Sequence, residues 1–123
     1  MQKNLANLEQ ILGYKFRNPD LLGRALTHRS WANEKMPLGS ELDIRNLQNE
    51  SLEFVGDAVL GMAVVEYLFN KYSNATEGEL SLMKHRLVST ETLAKNAQKL
   101  TLGDYLRVGR GEEKPEADAN KHF

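Results

Sequence analysis

The sequence predicts an all-α fold of about five or six helices. Three observations carry this. Apolar residues recur at spacings of three and four in five separate stretches. Two of those stretches open on helix-start signals, Asn18-Pro19 and Thr76-x-x-Glu79. No segment shows the strict alternation of a half-buried strand.

The elements follow in order. Leu5, Leu8, Ile11 and Leu12 form one apolar stripe, which Gly13 ends. Asn18 is an N-cap and Pro19 suits the first helical position, where its missing N–H does no harm. Leu21, Leu22, Ala25 and Leu26 are the buried face of this second helix. Residues 33–46, "NEKMPLGSELDIRN", hold Pro37 and Gly39 among polar groups and read as a loop. The longest periodic segment spans about residues 47–70. It is apolar on more than one face, through Leu52, Val55, Val59, Leu60, Met62, Val64, Leu68 and Phe69, and should lie at the centre of the domain. Next comes a helix from Thr76, with Leu80, Met83 and Leu87 on one side and the basic run Lys84, His85, Arg86 beside it. "STETLAKNAQKL" is a further helix, with Leu93, Ala97 and Leu100 inward. "TLGDYLRVGRGEEK" reads as a turn, a short element and a loop, and "PEADANKHF" as a mobile tail.

The 123 residues fit one domain, and 41% hydrophobic content can supply its core. The net charge of -1 does not mark a nucleic-acid binder, although a local basic patch can act against a neutral background. With no Cys, disulfides and thiolate metal sites are excluded. Any metal would be held by carboxylate, His or carbonyl groups, which favours hard ions such as Mg²⁺ or Mn²⁺. No segment reaches the roughly 20 apolar residues that span a bilayer, and the N-terminus resembles neither signal peptide nor anchor. No membrane association and a soluble, cytoplasmic protein are the expectations.

The stretch "NESLEFVGDAVL", residues 49–60, holds the chemistry. At 100° per residue, Glu50, Glu53 and Asp57 fall within roughly 60° of one another on a helix. Like charges that close repel, and nearby apolar surface raises the cost. A basic partner, protonation or a divalent cation relieves it. The motif carries no Lys or Arg, the nearest upstream being Arg45. Gly56, unfavourable inside a helix by about 1 kcal/mol relative to Ala, suggests that another helix or chain packs close there. The alternative is a solvated acidic first turn favoured by the helix dipole, which suits Glu50 better than Asp57.

"NESLEFVGDAVLG" closely resembles the signature of the ribonuclease III endonuclease domain. "LGYKFRNPDLLGRALTHRSW" resembles that family's N-terminal helices and Thr-His-x-Ser turn, and residues 77–113 resemble the helices that follow. The match covers about residues 5–113, which gives an endonuclease domain at 1–113 and an atypical segment at 114–123. The resemblance implies a Mg²⁺-dependent endoribonuclease, with Mn²⁺ a possible substitute, that hydrolyses double-stranded RNA in rRNA and mRNA precursor processing. It implies a homodimer with Phe54 as a packing anchor. By motif match Glu53 is a metal ligand, Asp57 an essential acidic residue of the same cluster, and Glu50 the auxiliary acidic position beside them. Glu77 matches an acidic position near the RNA path. Lys84, Arg86, Arg107 and Arg110 are candidate phosphate contacts, with a solvated face the competing reading. His28 is expected to make a structural hydrogen bond rather than bind metal, and Trp31 and Tyr14 to serve as core or interface aromatics.

The sequence departs from the family in its last residues. The family continues with a helix whose Asp-x-x-Glu pair completes the metal site. Here Asp118 stands in a similar Ala-Asp-Ala context, but Lys121 follows three residues on. The expectation is also that the double-stranded RNA-binding domain that often follows in the family is lacking. An inactive shortened relative that dimerises or binds RNA without cutting it is therefore the alternative, and a helical protein-interaction module is the third.

Overall fold

The structure, a computed structural model, describes residues 4–112. Seven α-helices follow one another: α1 Leu5–Leu12, α2 Pro19–Ala25, α3 Arg29–Lys35, α4 Glu41–Leu47, α5 Glu50–Lys71, α6 Glu77–Leu87 and α7 Thr90–Lys99. Two 3₁₀ turns close the order, Leu102–Tyr105 and Arg110–Glu112. The all-α expectation holds, with more helices than the five or six expected. The expected segment at 114–123, with Asp118, lies outside the described residues.

Local chemistry sets the helix ends. The Asn18 side chain accepts the Asp20 N–H at 3.1 Å and Pro19 opens α2, as its sequence predicts. Thr76 and Glu79 form the expected capping box at α6. Gly13 ends α1 at φ +67, a left-handed turn that favours glycine. The loop expected over 33–46 is a correction: its second half is α4. Ser40 and Asp43 form a reciprocal capping box there, the Ser40 Oγ accepting the Asp43 N–H at 3.1 Å. Asp43 plays the part that Glu or Gln commonly plays at that position.

The core sits at the chain's two ends. Leu8 of α1, Leu22 and Leu26 of the α2 region and Tyr105 are buried together, with Leu5, Phe16, Leu102 and Leu106 against them. Strand-like pairing locks this cluster. The Arg107 N–H donates to the Leu26 carbonyl and the His28 N–H to the Arg107 carbonyl, both at 2.8 Å, a single parallel bridge between Thr27 and Arg107. Further along, the Gly109 N–H donates to Ser30 Oγ at 2.8 Å and the Arg110 N–H to Glu34 Oε2 at 2.7 Å. A Cβ on Gly109 would lie 2.9 Å from both the Ser30 Cβ and its carbonyl, so this close approach requires glycine.

The central position expected of α5 is also corrected. Among the described residues it packs mainly on α6, and Leu68 is its one buried residue. The helix is apolar nearly all round, as its sequence says, but most of that surface faces solvent.

Two predictions follow from this frame. Thr27 is 1% exposed, and its Oγ1 donates to the Gly23 carbonyl at 2.6 Å. Thr27→Val keeps the shape and removes the bond, so thermal or urea unfolding should show a loss of about 1 kcal/mol. At α6, hydrogen bonds from the Thr76 backbone N–H and then its hydroxyl hold the Glu79 carboxyl below its ordinary value of 4.5. Its contribution to stability is present above that value and is lost as pH falls through the lower folded value. Glu79→Gln should therefore flatten the acid limb of the stability–pH curve, and an unchanged limb would contradict this.

Candidate functional site

The site is built at the start of α5. Asn49 precedes the helix without a capping side chain of its own. Gln48 takes that role: its Oε1 accepts the Glu50 N–H at 2.6 Å. The Asn49 N–H donates to the Thr27 carbonyl at 2.9 Å, and the Gln48 carbonyl accepts from Arg24 Nε at 3.0 Å. The first turn of α5 is thus fixed to the α2–α3 junction. Glu50 and Glu53 lie in that turn, where the helix dipole favours negative charge. Asp57 follows one turn later on the same face.

A basic partner does reach this face. The Arg29 guanidinium lies between α4 and α5, with Nη2 3.1 Å from Glu41 Oε1 and Nη1 3.7 Å from Glu50 Oε2. Arg29 stands 21 positions before Glu50, so a search along the motif could not find it. The groups are solvent-exposed and the Glu50 contact is long, so the pair adds at most about 1 kcal/mol; its effect is to orient Glu50.

Glu50 and Glu53 line a cavity of about 160 Å³. Its other walls include Thr27, His28, Arg29, Gln48 and Asn49. His28 is structural, as expected: its Nδ1 accepts the Ser30 N–H at 3.1 Å and caps α3. Among the described residues no group of three or more His, Asp or Glu side chains converges to hold a metal ion. An all-protein cage is therefore not formed by them. The donor chemistry still fits Mg²⁺, which commonly takes one or two carboxylates and completes its shell with water and substrate phosphate. Glu53 and Asp57 can supply those carboxylates, since side chains at i and i+4 stand about 5–6 Å apart at Cβ.

The remaining candidates are not gathered here. Glu77 opens α6 at the far end of α5, which is about 33 Å long, and accepts a hydrogen bond from Ser81. Lys84 is nearer. Its side chain passes over Gly61, where a Cβ would meet Lys84 Cε at 3.7 Å and Nζ at 3.8 Å. Gly61 is one turn beyond Asp57, so the ammonium flanks the acidic face without an ion pair among the described residues. His85 and Arg86 are exposed in the last turn of α6. The Arg107 guanidinium packs against Gly23 and over the Trp31 ring, 5.3 Å from its centroid. Arg110 is exposed, and its backbone is tied to Glu34. Tyr14 is exposed and meets Phe16 edge-on at 4.9 Å.

Phe54 is 82% exposed, on an apolar flank of α5 with Met62, Val65 and Phe69. The close packing expected at Gly56 is absent among the described residues: no atom lies within 4 Å of a Cβ placed there. The sequence reading missed Gln48 and Arg29. The only local signal for Gln48 was a polar side chain just before a helix whose cap residue makes no capping bond.

Comparison with known proteins places this arrangement. The family model described as Ribonuclease-III-like matches residues 18–122. The chain belongs to the ribonuclease-III-like family. This ribonuclease-III-like chain is 48% identical over 114 residues to Ribonuclease 3 of Pseudomonas putida, and 47% identical over 114 residues to Ribonuclease 3 of Geobacter metallireducens. Both matches cover 93% of it but 44% of the relative, so it spans less than half the length of these curated relatives. Two solved structures of the nuclease domain of ribonuclease III from Campylobacter jejuni share its fold. They match at TM-scores of 0.74 and 0.73 and identities of 38% and 39%, covering 97% and 98% of this chain and 80% of theirs. The first of these was reported for structural flexibility in a region involved in dimer formation.

The open surroundings of Gly56 make a prediction. Gly56→Ala removes helix-interior backbone entropy and meets no neighbour, so the monomer should gain about 1 kcal/mol in thermal unfolding. A loss of stability would mean that a chain packs directly on Gly56.

Proposed function

We propose that this chain is the nuclease domain of an endoribonuclease that hydrolyses double-stranded RNA with Mg²⁺. The observation that carries the proposal is the single acidic face of α5, Glu50, Glu53 and Asp57, in a chain of this family and fold. Its carboxylates are hard oxygen donors in the first two turns of one rigid helix. The chemistry that a bound divalent ion supplies is Lewis-acid activation of water and offset of charge on phosphoryl and leaving oxygens.

The chain's own residues do the rest. Glu53 and Asp57 would hold the cation, each supplying a hard carboxylate donor from one helix face. Glu50, turned by Arg29, completes the acidic face at the helix start. Lys84, over Gly61, brings positive charge beside that face, and Arg86, exposed in the last turn of α6, adds a second cation on the other side of that helix. Double-stranded RNA is read chiefly by shape, phosphates and 2′-hydroxyls, which suits a surface of exposed helices.

The active form is a homodimer in this reading. Phe54, Val55, Val59, Met62 and Phe69 are each more than half exposed along one helix, an apolar surface that a monomer rarely leaves open. A second copy covering it would place two acidic faces in one assembly. A cytoplasmic setting belongs to the same proposal; no helix among the described residues is long and apolar enough to cross a membrane.

One observation favours a second reading. The described residues form no three-ligand cluster, which suits a relative that dimerises or binds RNA without cutting it. Incubation with long double-stranded RNA and Mg²⁺ separates the two. Cleavage should fall by roughly 10³-fold in Glu53→Ala and in Asp57→Ala, the rate equivalent of several kcal/mol of lost charge stabilisation. Cleavage unchanged in both variants contradicts the site. No cleavage by the wild type, with dimers intact in sedimentation, selects the second reading.

A further inference from the structure

Gln48 is 1% exposed, yet only half of its side-chain amide is used. Oε1 accepts the Glu50 N–H at 2.6 Å, which fixes the orientation of the amide and leaves Nε2 as the free end. Among the described residues Nε2 has no hydrogen-bond partner, although it carries two donors. Buried polar groups rarely stay unpaired. Gln48 also lines the 160 Å³ cavity whose walls include Glu53, Glu50, Asn49 and Thr27. Its lining is mixed, with Ala25, Leu26, Leu106 and Val108 among the remaining walls, and it has room for water, each molecule occupying about 30 Å³ in the liquid. Glu53, an acceptor-only carboxylate, and Gln48, whose Nε2 donors have no partner among the described residues, both line it. Water, which donates and accepts, fits between them where no charged ligand would: a cation would meet the amide donors and the Arg29 guanidinium, and an anion would meet Glu50 and Glu53.

We infer that this cavity is a water site, in which ordered water bridges the Gln48 amide to the Glu53 carboxylate and makes Gln48 a positioning residue for the acidic face. The inference rests on the nuclease reading for its consequence in metal binding, but not for the water itself. One side chain thereby does two things. Its oxygen starts α5, and its nitrogen, through water, sets the carboxylate that α5 presents one turn later. Hydrogen bonds to a ligating carboxylate from behind the ligand commonly change metal affinity by 10- to 100-fold.

Two measurements on the full 123-residue chain test this. Water-selective NOE and ROE spectra should give cross-peaks between water and the Gln48 side-chain amide protons, with the sign that marks held rather than bulk water. Calorimetric titration with Mn²⁺ alone, well below the unfolding temperature, should show affinity about 10-fold weaker in Gln48→Met. A side chain that merely capped the helix would lower the unfolding temperature of Gln48→Met and leave Mn²⁺ affinity unchanged. That result, or absence of the water cross-peaks, overturns the inference. If the wild type binds no Mn²⁺, the nuclease reading fails by itself, and the cross-peaks alone decide the water site. They also decide it if Gln48→Met does not fold.

Discussion

The structure depends on one short strip of backbone, Leu26–His28. On one side it pairs with Arg107 through two hydrogen bonds of 2.8 Å, and on the other the Thr27 carbonyl accepts the Asn49 N–H at 2.9 Å. Three distant parts of the chain meet on these three residues: the α2–α3 turn, the start of α5 and the segment after the first 3₁₀ turn. Thr27 is buried because it has neighbours on both sides, and its hydroxyl must therefore find a partner, which the Gly23 carbonyl supplies. The acidic helix is positioned at its first residue by this strip. Its carboxylates inherit the precision of a backbone bridge, since hydrogen-bonded strands and helix starts vary less in geometry than loops do.

The same organisation explains why α5 is so bare. The core formed by Leu8, Leu22, Leu26 and Tyr105 takes nothing from α5, which among the described residues packs mainly on α6. A 22-residue helix with one buried residue is not held by core packing over most of its length. Its helicity comes from its N-terminal anchorage, its i to i+4 ladder and the Gly61–Lys84 crossing. Covering its apolar flank with a partner would add the burial that the described residues do not provide. A partner on that flank would come close to the acidic face, because Phe54 adjoins Glu53 in the same turn.

Much of this was legible in the sequence, and the boundary is physical. Signals that act within four residues were readable: Asn18-Pro19, Gly13, Thr76 with Glu79, and the common face of Glu50, Glu53 and Asp57. The helix α4 was hidden because Pro37 and Gly39 spoke for a loop, while Ser40 and Asp43 form the same box with the shorter acid. The burial of α5 was misread because periodicity reports how apolar each face is, not whether anything arrives to cover it. Arg29 and Gln48 escaped for the opposite reason. Their roles exist only once residues 21 positions apart, or a helix and a turn, have been brought together. Arg107 also acts through a long-range contact: the fold seats its guanidinium on Trp31 and Gly23.

The acidic face then presents an electrostatic question with a structural answer. Three carboxylates in two turns repel one another, and the chain offsets this unequally. Glu50 has the Arg29 guanidinium, itself anchored by Glu41 across the gap to α4. Glu53 lines the cavity shared with Gln48. Asp57 has no pairing partner within the described residues, and the Lys84 ammonium lies over Gly61, a turn further on. The support therefore thins along the helix, from the anchored start toward the open middle. A divalent ion would contribute most where support is least, between Glu53 and Asp57, because there it meets carboxylates whose charge no Lys or Arg already offsets. Glu50 and Asp57 therefore stand differently on one face: the first is paired with Arg29, and the second has no ion-pair partner among the described residues.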